Sequence, residues 1–220
     1  MPNLPSPKGP AGVRGALLAV LVGVALALTT AVPAQAATTY TPSGGPSVSF
    51  VGTNIPFTDV EAGQTFTCSS VIMAGSLVSS GVSRAYGNVA ITLSTLSSSG
   101  CSNPICGAAA LTPVSTWTFA ITGDKTGTSW PARIDNVTVQ LTCGGCAFKM
   151  TGRIVGTFDT ATQRFTPQSG GAGFIVSSSP APSGSMCVIL DIQAGDQITV
   201  GGVFVRSPSP GSVGVTISNP

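Results

Sequence analysis

Charge is what this sequence has least of. Acids and bases make up 7% of its 220 residues, against roughly a quarter in an average soluble domain. Histidine is absent altogether. That absence excludes Ser-His-Asp and Cys-His nucleophile activation, imidazole acid–base chemistry and histidine-ligated zinc. Aromatic residues are scarce too, at 6%. No two bases after residue 36 are neighbours and no basic run exists, so electrostatic nucleic-acid binding has no footing.

What is present begins with an export signal. Residues 1–14 carry Lys8 and Arg14 and no acid, and lead into a 14-residue apolar run from Gly15 to Leu28. That run is shorter than the roughly 20 residues that span a bilayer. Pro33 follows, then Ala34-Gln35-Ala36, a small-x-small site for signal peptidase. The pattern predicts a secretory signal peptide over 1–36, cleaved after Ala36; the alternative is an uncleaved anchor, since counting through Val32 extends the segment to 18 residues. A lone Arg14 gives no twin-arginine signal, and no cysteine lies near the site to take a lipid. Residues 37–220 then form a single exported domain of ordinary size. Seven acids and seven bases remain in it, so the formal +2 of the whole chain belongs to the signal. No second apolar span follows, so no membrane span is expected once the signal is cleaved.

A neutral, charge-poor chain rich in Ser, Thr and Gly suits an all-β protein with hydroxylated outward faces. Disorder is excluded for most of it, because low hydrophobicity and high net charge are both missing. Val48 and Phe50 alternate with serines, Val89, Ile91 and Leu93 with Ala90 and Thr92, and Trp117, Phe119 and Ile121 with Thr118, Ala120 and Thr122. Val213, Val215 and Ile217 repeat the pattern. Period-2 alternation puts one face on a core and one toward solvent. Together these signals predict an antiparallel β-sandwich or barrel-like domain with almost no helix, its loops at 41–46, 167–172, 179–185 and 207–212.

The sharpest local expectation is a hairpin from Asn136 to Gly156. Gly144-Gly145 supplies two residues that tolerate positive φ, as a type I′ turn requires. Folding there pairs Cys143 with Cys146, Leu141 with Phe148 and Val139 with Met150, while Gln140 meets Lys149 and Thr138 meets Thr151. One register sorts apolar from polar on both strands, and a slip by one residue destroys it. Further turns are expected at Gly123-Asp124-Lys125, Asp159–Gln163 and Gly201-Gly202.

Six cysteines in an exported chain point to disulfides. Cys143-Gly-Gly-Cys146 has redox spacing, but a thioredoxin-type site needs a helix N-terminus, and here a hairpin turn intervenes. The preferred set joins Cys68 to Cys101, Cys106 to Cys143 and Cys146 to Cys187, tying consecutive thirds of the chain. The competing set closes Cys101–Cys106 and Cys143–Cys146 and joins Cys68 to Cys187.

Candidate chemical groups are few. Asp59 and Glu61 form the one obvious carboxylate pair, on the same side of an extended segment, and glycoside hydrolysis needs such a pair across a cleft. A solvated turn explains them better. Asp124, Asp159 and Asp196 sit in turns where calcium is conceivable, but without EF-hand spacing Asx-turn roles are the better reading. No metal or other cofactor is expected. Trp130-Pro131 and Tyr86 offer an aromatic contact surface, while Trp117 reads as core.

The segment Phe50-Val-Gly-Thr-Asn-Ile-Pro-Phe-Thr-Asp-Val-Glu-Ala-Gly-Gln-Thr-Phe-Thr-Cys68, with Ser99-Gly-Cys-Ser-Asn-Pro104 and Trp117, resembles uncharacterised secreted β-rich proteins of actinobacteria. More distantly, the order Gly-x-Thr-x-x-Cys, a mid-chain Cys and a following Trp is similar to secreted activators of alkane oxidation. The resemblance implies an extracellular, non-enzymatic β-protein acting at the cell surface or on apolar substrates. Signal, low charge and internal disulfides are also similar to the neocarzinostatin-type carrier apoproteins, although the cysteine spacing differs and this chain is longer.

Three roles are therefore in play. A non-enzymatic structural or surface-interaction domain comes first. An extracellular carrier of an apolar small molecule is second, and needs a cavity lined by residues such as Phe119, Phe148 and Met150. A carboxylate-dependent hydrolase is third.

Overall fold

The computed structural model describes residues 37–169, 173–207 and 214–219. The expected signal segment 1–36 lies outside the described residues, as do 170–172 and most of the expected loop at 207–212. Ala36–Pro220 form one compact unit.

Alternation in the sequence becomes strand throughout. In chain order these are β1 (Thr39–Ser43), β2 (Ser47–Asp59), β3 (Thr65–Leu77), β4 (Arg84–Ala85), β5 (Val89–Asn103), β6 (Gly107–Pro113) and β7 (Trp117–Ile121). There follow β8 (Ser129–Cys143), β9 (Cys146–Asp159), β10 (Arg164–Pro167) and β11 (Phe174–Val176). After one short helix, α1 (Ser185–Ile189), come β12 (Ile198–Val200), β13 (Phe204–Arg206) and β14 (Thr216–Ser218).

The long strands close an antiparallel barrel of eight strand positions. Going round, β2 pairs with β3 and β3 with β5. Next comes a position shared by β6, at the Cys101–Asn103 end of β5, and β7, at its Val89–Leu93 end. Both pair with β8, which pairs with β9. The far edge of β9 is covered by β10 and β11, and that of β2 by β13 and β12. Pairing of β10 with β13 closes the ring, so these strands leave no open edge to template aggregation. A small sheet ordered β14-β1-β4 lies apart from the ring. It corrects one expectation: Thr41–Ser43 are strand, not loop, because Pro42 sits opposite Ile217 in β14.

The β8–β9 hairpin has the register the sequence dictates, with Cys143 opposite Cys146, Leu141 opposite Phe148 and Val139 opposite Met150. Gly144 and Gly145 take φ of 55° and 89°, so the turn is built on the two residues without side-chain penalty. The pairing runs beyond Asn136 to Ser129, across a bulge between Ile134 and Val137 where Asn136 has φ of 60°.

Small eight-stranded barrels are filled by inward side chains, and this one is filled by aromatics. Phe119 meets Phe158 edge-on at 5.7 Å and Phe165 at 5.8 Å, Phe50 meets Phe158 at 6.0 Å, and Phe66 lies 5.8 Å from Phe148. Edge-to-face contact is the favoured arrangement of such rings.

Gln163 ties β14's approach to the barrel. Its amide donates to the Val215 carbonyl at 2.9 Å and to the Thr160 carbonyl at 2.6 Å, and its oxygen accepts from Val215 N–H at 2.8 Å. Gln163→Ala is expected to cost about 1–2 kcal/mol, since backbone partners are stranded. Denaturant unfolding checks this; an unchanged midpoint refutes it.

Candidate functional site

The structure separates the two carboxylates that their sequence spacing paired, Asp59 and Glu61. β2 ends at Asp59, so the chain is no longer extended at Glu61, and the expected same-side placement is wrong. Asp59 is fully buried and Glu61 is exposed. Asp59 Oδ1 accepts from Ala62 N–H at 3.0 Å, while Oδ2 has no donor. The nearby partner is instead Asp196, whose own carboxylate accepts from Gln193 N–H at 2.7 Å. Glu61 accepts from Gln197 N–H at 2.7 Å, drawing the strand that enters β12 against the turn after β2. Burial pushes the Asp59 carboxyl up to about 6, with the Asp196 and Glu61 charges adding to the shift and the Ala62 bond opposing it. Protonation of Asp59 gives Oδ2 a hydrogen and relieves the repulsion from the Asp196 and Glu61 charges. This arrangement ties two turns together; it presents no cleft between two opposed carboxylates.

Of the remaining turn acids, Asp159 caps its own turn as expected, whereas Asp124 is held by distant side chains and not by a local backbone N–H. Asp159 accepts from Thr128 and Ser129 hydroxyls at 2.6 and 3.2 Å and from Thr162 N–H at 2.7 Å. Those bonds, the Thr128 hydroxyl first, hold its carboxyl well below the usual range. Asp124 accepts from Tyr86 Oη at 2.6 Å and Asn219 Nδ2 at 3.0 Å. Among the described residues no group of three or more acids and cysteines converges as a metal ligand set.

The expected aromatic contact surface is not formed. Trp130 is fully buried, because its place in β8 faces the barrel interior, with Lys125 Nζ 5.8 Å from its ring. Tyr86 stacks on the buried Tyr40 at 5.9 Å. Trp117 is core as expected, although its Nε1 has no acceptor.

All six cysteines are bonded: Cys68 to Cys101, Cys106 to Cys143 and Cys146 to Cys187. Neither local loop of the competing set is closed, and no thiol remains free for redox chemistry.

One feature escaped the sequence. Three of the few charges, Arg133, Asp135 and Arg153, meet in a surface hollow of about 840 Å³ beside the β8 bulge. Arg133 Nε donates to Asp135 Oδ2 at 2.6 Å, and its Nη2 to the Gly87 carbonyl at 3.3 Å. Arg153 Nε approaches Asp135 Oδ1 at 3.6 Å, and its side chain is 54% exposed. The register shift at the bulge is what brings Asp135 between the two guanidinium groups, and the alternation of apolar residues gives no sign of it.

No family model, curated protein or solved structure matches this chain.

Proposed function

We propose that this is an exported, non-enzymatic β-barrel domain that acts through its outer surface. The observation that carries this reading is the filled interior. Phe119, Phe148 and Met150, the residues a ligand cavity needs, are fully buried among other core side chains. Where β9, β11 and β12 meet, between Ile154, Phe174, Ile198 and Val200, about 10 Å³ is left, the room of a single water at most. An apolar carrier needs some hundreds of Å³ enclosed. Three disulfides favour an oxidising compartment, and no helix among the described residues is long and apolar enough to cross a membrane. The actinobacterial resemblance fits the same extracellular setting.

Solvent extraction of the purified native protein, followed by mass spectrometry, tests the reading. An empty protein is expected. A stoichiometric apolar molecule overturns it in favour of the carrier.

A further inference from the structure

Deepening the outer-surface reading, we propose that the Arg133–Asp135–Arg153 hollow is a binding site for a carboxylate carried on a polyhydroxylated molecule, such as an acidic sugar. Two glycines show that the site is built around its arginines. A Cβ on Gly173 would stand 3.3 Å from Arg153 Cγ, and one on Gly87 would stand 3.3 Å from Arg133 Nη2. Each guanidinium arm therefore lies across a position with no side chain, held close to the backbone. Asp135 and the Gly87 carbonyl fix the Arg133 head. Arg153, which lines the hollow, is paired through Nε alone and its side chain is 54% exposed, so its two Nη groups have donors to spare.

Charge decides the ligand class. Two guanidiniums and one carboxylate leave a net charge of +1, which a single carboxylate neutralises and a phosphate dianion overfills. A planar guanidinium fork matches a planar carboxylate in two parallel bonds. Around that anchor the hollow offers the hydroxyls of Thr118 and Thr138 and the amide of Asn136, groups suited to sugar hydroxyls. Among the described residues no further acid lines it.

The test is calorimetric titration of the full exported protein, at low salt, with tri-galacturonate, neutral galactotriose and inorganic phosphate. Tri-galacturonate is expected to bind in the millimolar range and to weaken as salt rises. Arg153→Gln is expected to weaken it about tenfold or more, and Arg153→Lys to recover only part of that loss, because the charge stays and the fork goes. Arg153 is exposed, so both variants fold, which thermal melting verifies. Equal binding of galactotriose, tighter binding of phosphate, no binding at all, or an unaffected Arg153→Gln variant each overturns the proposal. A bound apolar molecule in the extraction experiment bears on the interior alone, so the two readings fail separately.

Discussion

Asp59→Asn is expected to stabilise the protein at pH 8 by about 2–3 kcal/mol and to leave it unchanged at pH 4. Burial holds the Asp59 carboxyl at about 6 in the folded chain against 3.8 in the unfolded one. A group whose folded pKa is raised contributes stability that is complete below its unfolded value and lost as pH rises through the folded one. The native state thus keeps a proton between pH 4 and 6 that the unfolded chain has released, and above pH 6 it must carry a buried anion beside Asp196 and Glu61. Asparagine keeps the acceptor for Ala62 N–H and puts a permanent N–H donor where Oδ2 has none. It therefore mimics the protonated acid at every pH. Thermal melting at pH 4 and pH 8 reads the effect, as a gain of about 5–10 °C for the variant at the higher pH only. Parallel melting curves for the two proteins across that range refute it. Asp159 has the opposite sign: its carboxyl is held below its ordinary value, so its contribution is present above that value and lost as pH falls through the folded one. The contributions of these two acids are jointly largest near the ordinary carboxylate value of 3.8.

Asp59 also marks where reading the sequence stops. Regular alternation made the strands legible, and a Gly-Gly turn flanked by matching faces made the β8–β9 register legible residue by residue. The preferred disulfide set, chosen for tying consecutive thirds of the chain, is the one formed, although only Cys68 and Cys101 face each other on paired strands; Cys106 lies in a turn and Cys187 in α1. Side-chain direction at a strand end is a different matter. Whether Asp59 and Glu61 share a face depends on the residue at which β2 stops, and that is set by Gln64 accepting the Asp59 N–H across the turn, with Gln197 accepting the next N–H. Trp130 beside Pro131 resembles a surface motif, yet pairing with Phe158 carries it into the core. The arginine hollow is harder still, since it rests on a one-residue register shift and on glycines distant in sequence. Bulges do this generally: they re-aim a side chain without leaving a mark in the hydrophobic pattern.

Replacing Cys146 and Cys187 together by serine is expected to cost about 4 kcal/mol, the chain-entropy value for a loop of this size. The bond spans 41 residues and joins the hairpin turn to α1, a helix of only five residues with no side-chain cap. Such a helix does not hold itself, because helices below about 12 residues are marginal in water. Around α1 the chain runs from Ser177 to Gln197. Its two ends are tied by backbone bonds of Ser177 to Lys149 and of Gly195 and Asp196 to Val176, and by the Gln197 bonds to Val60 and Glu61. Its middle is attached, besides the disulfide, by the Ala147–Ser183 bridge and the burial of Leu190 and Ile192. The Cys68–Cys101 bond differs in kind, since its cysteines face each other on β3 and β5, already zipped along their length. Both double-serine variants should lose about 10 °C or more in melting temperature, through the unfolded state. Only loss of Cys146–Cys187 should also expose 177–197 below the global transition, read as faster amide exchange and proteolytic nicking there. If the two variants show the same exchange protection over 177–197, the disulfide is not what seats this segment, and its backbone bonds with the burial of Leu190 and Ile192 hold it without the covalent link.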